Sequence, residues 1–119
     1  MEFLWVLLGG CIGAPLRFGV GRFVSKKWQG AFPLGTFLIN IIGSFCLGLL
    51  YGAQTSQSVW LLLGTGVLGA FTTFSTFGVE TVGLLEKKRV ALALSYVLLS
   101  ALVGILGAYL GQAWYTGRT

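Results

Sequence analysis

The sequence predicts an all-α membrane protein of four transmembrane helices, with a break in the third. Three observations carry that expectation. Hydrophobic residues make up 55% of the 119 residues against 9% charged, with a mean hydropathy of +0.87, a balance that disfavours a soluble domain. Charged residues are absent from 3–16, 28–79 and 90–117, and the middle stretch far exceeds the ~20 residues of one span, so it must hold two helices. Finally, Gly69-Ala70-Phe71-Thr72-Thr73-Phe74-Ser75-Thr76-Phe77 sets four hydroxyls among three phenylalanines within that stretch. Hydroxyls at membrane depth cost free energy unless they find partners, which points to a neighbouring helix, a broken backbone or a polar path.

The first span is placed at 3–25, where Pro15 removes one helical donor and kinks the helix, and Lys26-Lys27 form the turn that follows. The second runs 33–51, with Pro33 suited to a helix N-terminus. A polar loop, Gln54-Thr55-Ser56-Gln57-Ser58, follows, and Ser58 is the expected N-cap of the third span, 59–85. As one straight helix this span would measure ~40 Å, more than a ~30 Å hydrocarbon core. It also holds Gly64, Gly66, Gly69, Gly78 and Gly83. A break near 69–73 answers both facts, and glycine at 69 would supply dihedrals closed to other residues. Glu86-Lys87-Lys88-Arg89 is the third turn, and the last span covers 90–114. The pairs Gly9/Gly13, Gly48/Gly52 and Gly107/Gly111 permit close helix contact, with ordinary packing inside the chain the simplest use. One domain, 1–119, is expected. An N-terminal signal peptide is disfavoured, since no basic segment precedes the first apolar run.

Several functions lack parts. The chain has no His or Asp, and its acids are Glu2, Glu80 and Glu86. Histidine-based metal sites, carboxylate pairs and Ser-His-Asp arrangements are therefore excluded or starved, and an enzyme is not expected. Cys11 and Cys46 fall inside spans and are expected to pack as small apolar residues. The net charge of +5 sits at span ends, where it reads as membrane anchoring.

The residues that remain suit an ion. Phenyl rings have positive edges, so phenylalanines beside hydroxyl donors attract an anion without holding it by a full charge; a plain packing stripe is the simpler use of the same pattern. Carbonyls freed at a break suit a hard cation. Asn40, near the middle of the second span, either bonds another helix or donates toward an anion path. Arg17 lies ~20 Å into the first helix, deep enough for a functional role, whereas Arg22 can snorkel to the interface. Glu80 follows Phe77 as a partner, cap or vestibule group. Tyr96 and Ser100 share a face of the fourth span, bonding a neighbouring helix or extending a polar track.

Gly-x-x-Gly-Ala-x-x-Arg at 10–17, Pro-x-Gly-Thr-x-x-x-Asn-x-x-Gly-Ser at 33–44 and Gly-x-Phe-Thr-Thr-Phe-Ser-Thr-Phe-x-x-Glu at 69–80 together resemble the CrcB/Fluc fluoride-channel family, over all four spans and in order. The third motif is highly specific. The resemblance implies a passive fluoride channel of the bacterial inner membrane, built as an antiparallel dimer with two pores. Phe74 and Phe77 would present ring edges to fluoride and Asn40 would donate to it. Ser75, Thr76, Tyr96 and Ser100 would line its track, with Arg17 and Glu80 at the vestibule. Backbone carbonyls of Gly69 and Thr72 from both chains would hold one structural sodium ion. Where the family often has another hydroxyl one turn past Ser100, this chain has Gly104. The alternative reading is a small proton-coupled multidrug-type exporter using Glu80, the one carboxylate available to such a mechanism.

Orientation follows from charge. The turns after the first and third spans fall on one membrane side and carry Arg22, Lys26, Lys27, Lys87, Lys88 and Arg89, while Arg118 stands alone on the other. This positive-inside bias favours one orientation with both termini outside. Two assemblies stay open: a dual-topology homodimer, which the family favours, and a heterodimer with an oppositely oriented paralogue, which the charge bias favours.

Overall fold

A computed structural model describes residues 2–117. Helix α1 spans Glu2–Lys27 and α2 spans Leu34–Ala53. Helix α3 covers 57–71, α4 is Ser75–Glu86 and α5 is Val90–Gly117. The third span, Gln57–Glu86, is thus α3 and α4 in series, and each of the four spans is long and apolar enough to cross a membrane. The helices turn outward a coat of large apolar side chains, among them Phe3, Leu7, Phe18, Leu102 and Ile105. Lipid is the solvent that suits such a surface.

The expected spans match the helices to within three residues at each end. The break and the N-cap are shifted locally, and one feature goes beyond the expectation. The backbone leaves the helix at 72–74, at the C-terminal edge of the expected 69–73. Nine residues before it, Trp60–Leu68, wind as a π-helix, which is rare and wider than an α-helix. The N-cap of α3 is Ser56 rather than Ser58: Ser56 has extended backbone, and its Oγ accepts the Val59 N–H at 3.4 Å. Cys11 and Cys46 are both free. Arg118, assigned to the sparsely charged side, lies outside the described residues.

Glycine contacts organise the bundle. Helix α1 packs along α3 and α2 along α5. A Cβ at Gly9 would stand 2.7 Å from the Cα of Gly66, and one at Gly13 would collide with the Val67 carbonyl. On the other pair, a Cβ at Gly48 would meet the Ala108 carbonyl, and one at Gly111 the Phe45 carbonyl. The sites nearest the backbone of a neighbouring helix are therefore glycines, and backbones approach where side chains would hold them apart. A smaller core joins α4 to α5 through Leu84, Ala93 and Tyr96, with Phe32, Phe37, Phe77 and Leu92 packed around it.

Candidate functional site

The break is built by side chains replacing helical donors. Thr73 N–H donates to Asn40 Oδ1 at 2.9 Å, and Asn40 Nδ2 donates to the Thr73 carbonyl at 3.0 Å. One amide of α2 thus satisfies both polar groups of a residue that has left the helix, meeting the requirement for irregular backbone at membrane depth. Thr76 N–H then donates to Thr73 Oγ1 at 3.2 Å, so Thr73 opens the next helix by capping it. In a continuous helix those two N–H groups would reach the carbonyls of Gly69 and Thr72. Both carbonyls have lost their helical donors, as a backbone-built cation site needs.

Glycine at 69 has a different reason from the expected one. Its φ of −61° and ψ of −40° are ordinary helical values, so special dihedrals play no part. A Cβ there would have 3.8 Å to its nearest neighbour, the Gly64 carbonyl, and the residue is exposed on the chain's surface. The departure falls instead on Thr72, whose ψ is 160°. Its Oγ1 donates back to the Leu68 carbonyl at 3.0 Å, and its Cγ2 occupies the place where a Cβ on Gly43 would be.

The three phenylalanines part company at the break. Phe71 is buried, Phe77 is half-buried, and Phe74 is 84% exposed. Ser75 and Thr76 are exposed beside Phe74. The Phe74 and Phe77 ring centroids lie 6.0 Å apart, and Phe77 in turn sits 4.9 Å from Tyr96. Tyr96, fully buried, meets Phe32 edge-on at 5.3 Å and donates its O–H to Glu80 Oε1 at 3.0 Å. Glu80 is therefore the partner of Tyr96. Thr36 also lies beside this hydroxyl. Ser100 Oγ is buried with no partner among the described residues.

Two open clefts meet at the break. One, of about 660 Å³, is lined by Arg17, Arg22, Thr36, Thr73, Thr76 and Glu80, among others. The other, of about 320 Å³, includes Asn40, Ser44, Gly69, Thr72, Thr73 and Phe74. Thr73 lines both. Arg22, expected at the interface, shares the first cleft with Arg17. Of the sequence-derived candidates, Asn40, Thr76, Arg17, Glu80, Phe74, Gly69 and Thr72 gather on these two clefts. Phe77 and Tyr96 form the aromatic wall beside Glu80, whereas Ser100 lines neither cleft. Sequence reasoning missed Thr73 as the pivot, and Thr36 and Phe32 around Tyr96. The Asn40–Thr73 pairing had no local signal, because 33 residues separate its members.

A family model described as CrcB-like protein, Camphor Resistance (CrcB), matches residues 4–112. The chain is 48% identical over 106 residues to a Carboxydothermus hydrogenoformans protein named Fluoride-specific ion channel FluC 1, covering 89% of this chain and 86% of that one. It is 41% identical over 112 residues to Fluoride-specific ion channel FluC 2 of Clostridium acetobutylicum, covering 94% and 96% respectively. A Bacillus cereus protein of the same name is 47% identical over 112 residues, covering 94% and 95%.

Proposed function

The chain belongs to the CrcB family, and from that premise we propose that it is a passive fluoride-selective channel of the cell membrane, exporting fluoride down its electrochemical gradient. Relatives named as fluoride-specific channels match it over most of its length. The observation that carries the reading is the break at 72–74, where Thr73 lines two open clefts at once. Fluoride is small and strongly hydrated, so its path must replace water with several donors at once. Asn40, Ser75 and Thr76 offer neutral N–H and O–H donors, and Phe74 and Phe77 offer ring edges. None is a fixed cation that would trap the ion. Arg17 at the cleft mouth raises the local anion concentration, and Tyr96 with Ser100 carries the polar line onto α5.

The second half of the proposal is the antiparallel dimer. Gly69, Phe74, Ser75 and Thr76 are exposed on the single chain, and irregular backbone with exposed hydroxyls does not face lipid. An inverted second copy, or an inverted paralogue, covers this face and shares in two pores. The carbonyls of Gly69 and Thr72, stripped of their helical donors, suit a hard monovalent cation, and sodium held by both chains would offset the negative C-terminal ends of the two α3 helices.

The exporter reading rests on Glu80, and the named relatives do not favour it. Reconstituted into liposomes and followed by a fluoride electrode, Phe74→Ile and Phe77→Ile are expected to cut fluoride efflux at least tenfold. Glu80→Gln is expected to retain more flux than either. Flux that dies with Glu80→Gln while both phenylalanine variants conduct normally would favour the exporter.

A further inference from the structure

Hydroxyls on helices in apolar surroundings commonly fold back on a carbonyl of the preceding turn. Thr72, Thr81 and Ser95 do so, each donating to the carbonyl four residues earlier. Ser44 on α2 and Ser100 on α5, which faces it, find no partner among the described residues. Ser100 Oγ is buried without a partner. Ser44 Oγ makes no hydrogen bond among the described residues, and Ser44, one helical turn after Asn40, lines the same cleft.

Between them lies a gap in α5. Position 104 is one turn beyond Ser100 on the same face, and there the chain has glycine. A Cβ built on Gly104 would stand 3.6 Å from Ser44 Oγ and 3.9 Å from Ile41 Cδ1, in ordinary contact with both. The space that a side chain on α5 would fill is therefore faced from α2 by a free hydroxyl. Placed one turn from Asn40 and opposite the step after Ser100, that hydroxyl continues a row of donors where α5 offers none.

We propose that Ser44 is an anion-coordinating residue of the conduction path, its O–H donating to the permeant ion at the step where α5 carries Gly104. The assignment rests on the channel reading. A hydroxyl suits the task because its hydrogen rotates to follow a moving anion and carries no charge to hold it.

The test compares wild type, Ser44→Ala, Ser44→Thr and the double variant Ser44→Ala/Gly104→Ser in proteoliposomes, with chemical cross-linking as the check on assembly. Ser44→Ala is expected to slow fluoride efflux about tenfold, the worth of one hydrogen bond to a charged group, without changing the cross-linked species. Ser44→Thr keeps the hydroxyl and is expected to stay within about threefold of wild type by the same reckoning. Gly104→Ser placed on Ser44→Ala is expected to restore most of the flux, because it returns a hydroxyl to the same space from the opposite helix; a packing role for Ser44 gives no such rescue. Equal flux in wild type and Ser44→Ala overturns the proposal, and so does a slow Ser44→Ala that Gly104→Ser leaves slow. Wild-type liposomes that pass no fluoride even with an inverted paralogue supplied would overturn the channel reading, and this proposal with it.

Discussion

Asn40 holds both backbone polar groups of Thr73 with the two ends of one amide, which couples the shape of the break to the chemistry beside it. The two roles separate by mutation. Asn40→Ala orphans an N–H and a C=O, at about 1–3 kcal/mol each, and is expected to lower thermal stability in detergent as well as abolish fluoride flux. Asn40→Asp keeps an acceptor for the Thr73 N–H but loses the donor and adds a negative charge beside the proposed anion path. It is expected to retain more stability than Asn40→Ala while conducting no better. Asn40→Asp conducting like wild type would remove Asn40 from the path. Much of this residue-scale picture was legible in the sequence: a lone amide at mid-span, hydroxyls too numerous for lipid, and a carboxylate one turn past Phe77. Which of four adjacent hydroxyls would be the pivot was not legible, because Thr73 is selected by its contact with α2 and not by its neighbours in the chain.

At the scale of elements, the break is seated by the fit of α2 against Thr72. A Cβ on Gly43 would occupy the space of Thr72 Cγ2 and lie 3.7 Å from Phe71 Cδ2. Thr72 cannot simply turn away, since its Oγ1 is bonded to the Leu68 carbonyl. Gly43→Ala is therefore expected to cost about 1–3 kcal/mol by overpacking and to lower flux. Thr72→Ser removes Cγ2 and keeps the hydroxyl, so Gly43→Ala/Thr72→Ser should regain most of the lost stability in a thermal-unfolding series. Additive losses in the double variant would contradict this seating. Span limits were readable because charged residues at 26–27 and 86–89 and an uncharged polar run at 54–58 punctuate the chain. The π-helical winding of Trp60–Leu68 had no such mark. Its residues are ordinary for a span, and the close approach of Gly9 and Gly13 to Gly66 and Val67 becomes visible only once α1 and α3 are side by side.

For the whole molecule, the proposed pairing of copies turns on charge. Six basic residues lie at or near the turns after the first and third spans, a bias worth a definite orientation if insertion obeys it. Single cysteines introduced at the Gln54–Gln57 loop and at Lys87, in the chain expressed alone, are expected to label from opposite sides with one predominant orientation. Comparable labelling of each site from both sides would instead identify a dual-topology homodimer. The sequence made the four-span architecture plain but could not define the face proposed to be covered: Phe74, Ser75 and Thr76 look alike as pore lining, interface or both until the break exposes them together. Selectivity for fluoride is read from efflux out of liposomes loaded with equal fluoride and chloride, the chain reconstituted with an inverted paralogue if it needs one. Fluoride is expected to leave rapidly while chloride is retained; release of the two ions at equal rates would show a pore that does not select fluoride.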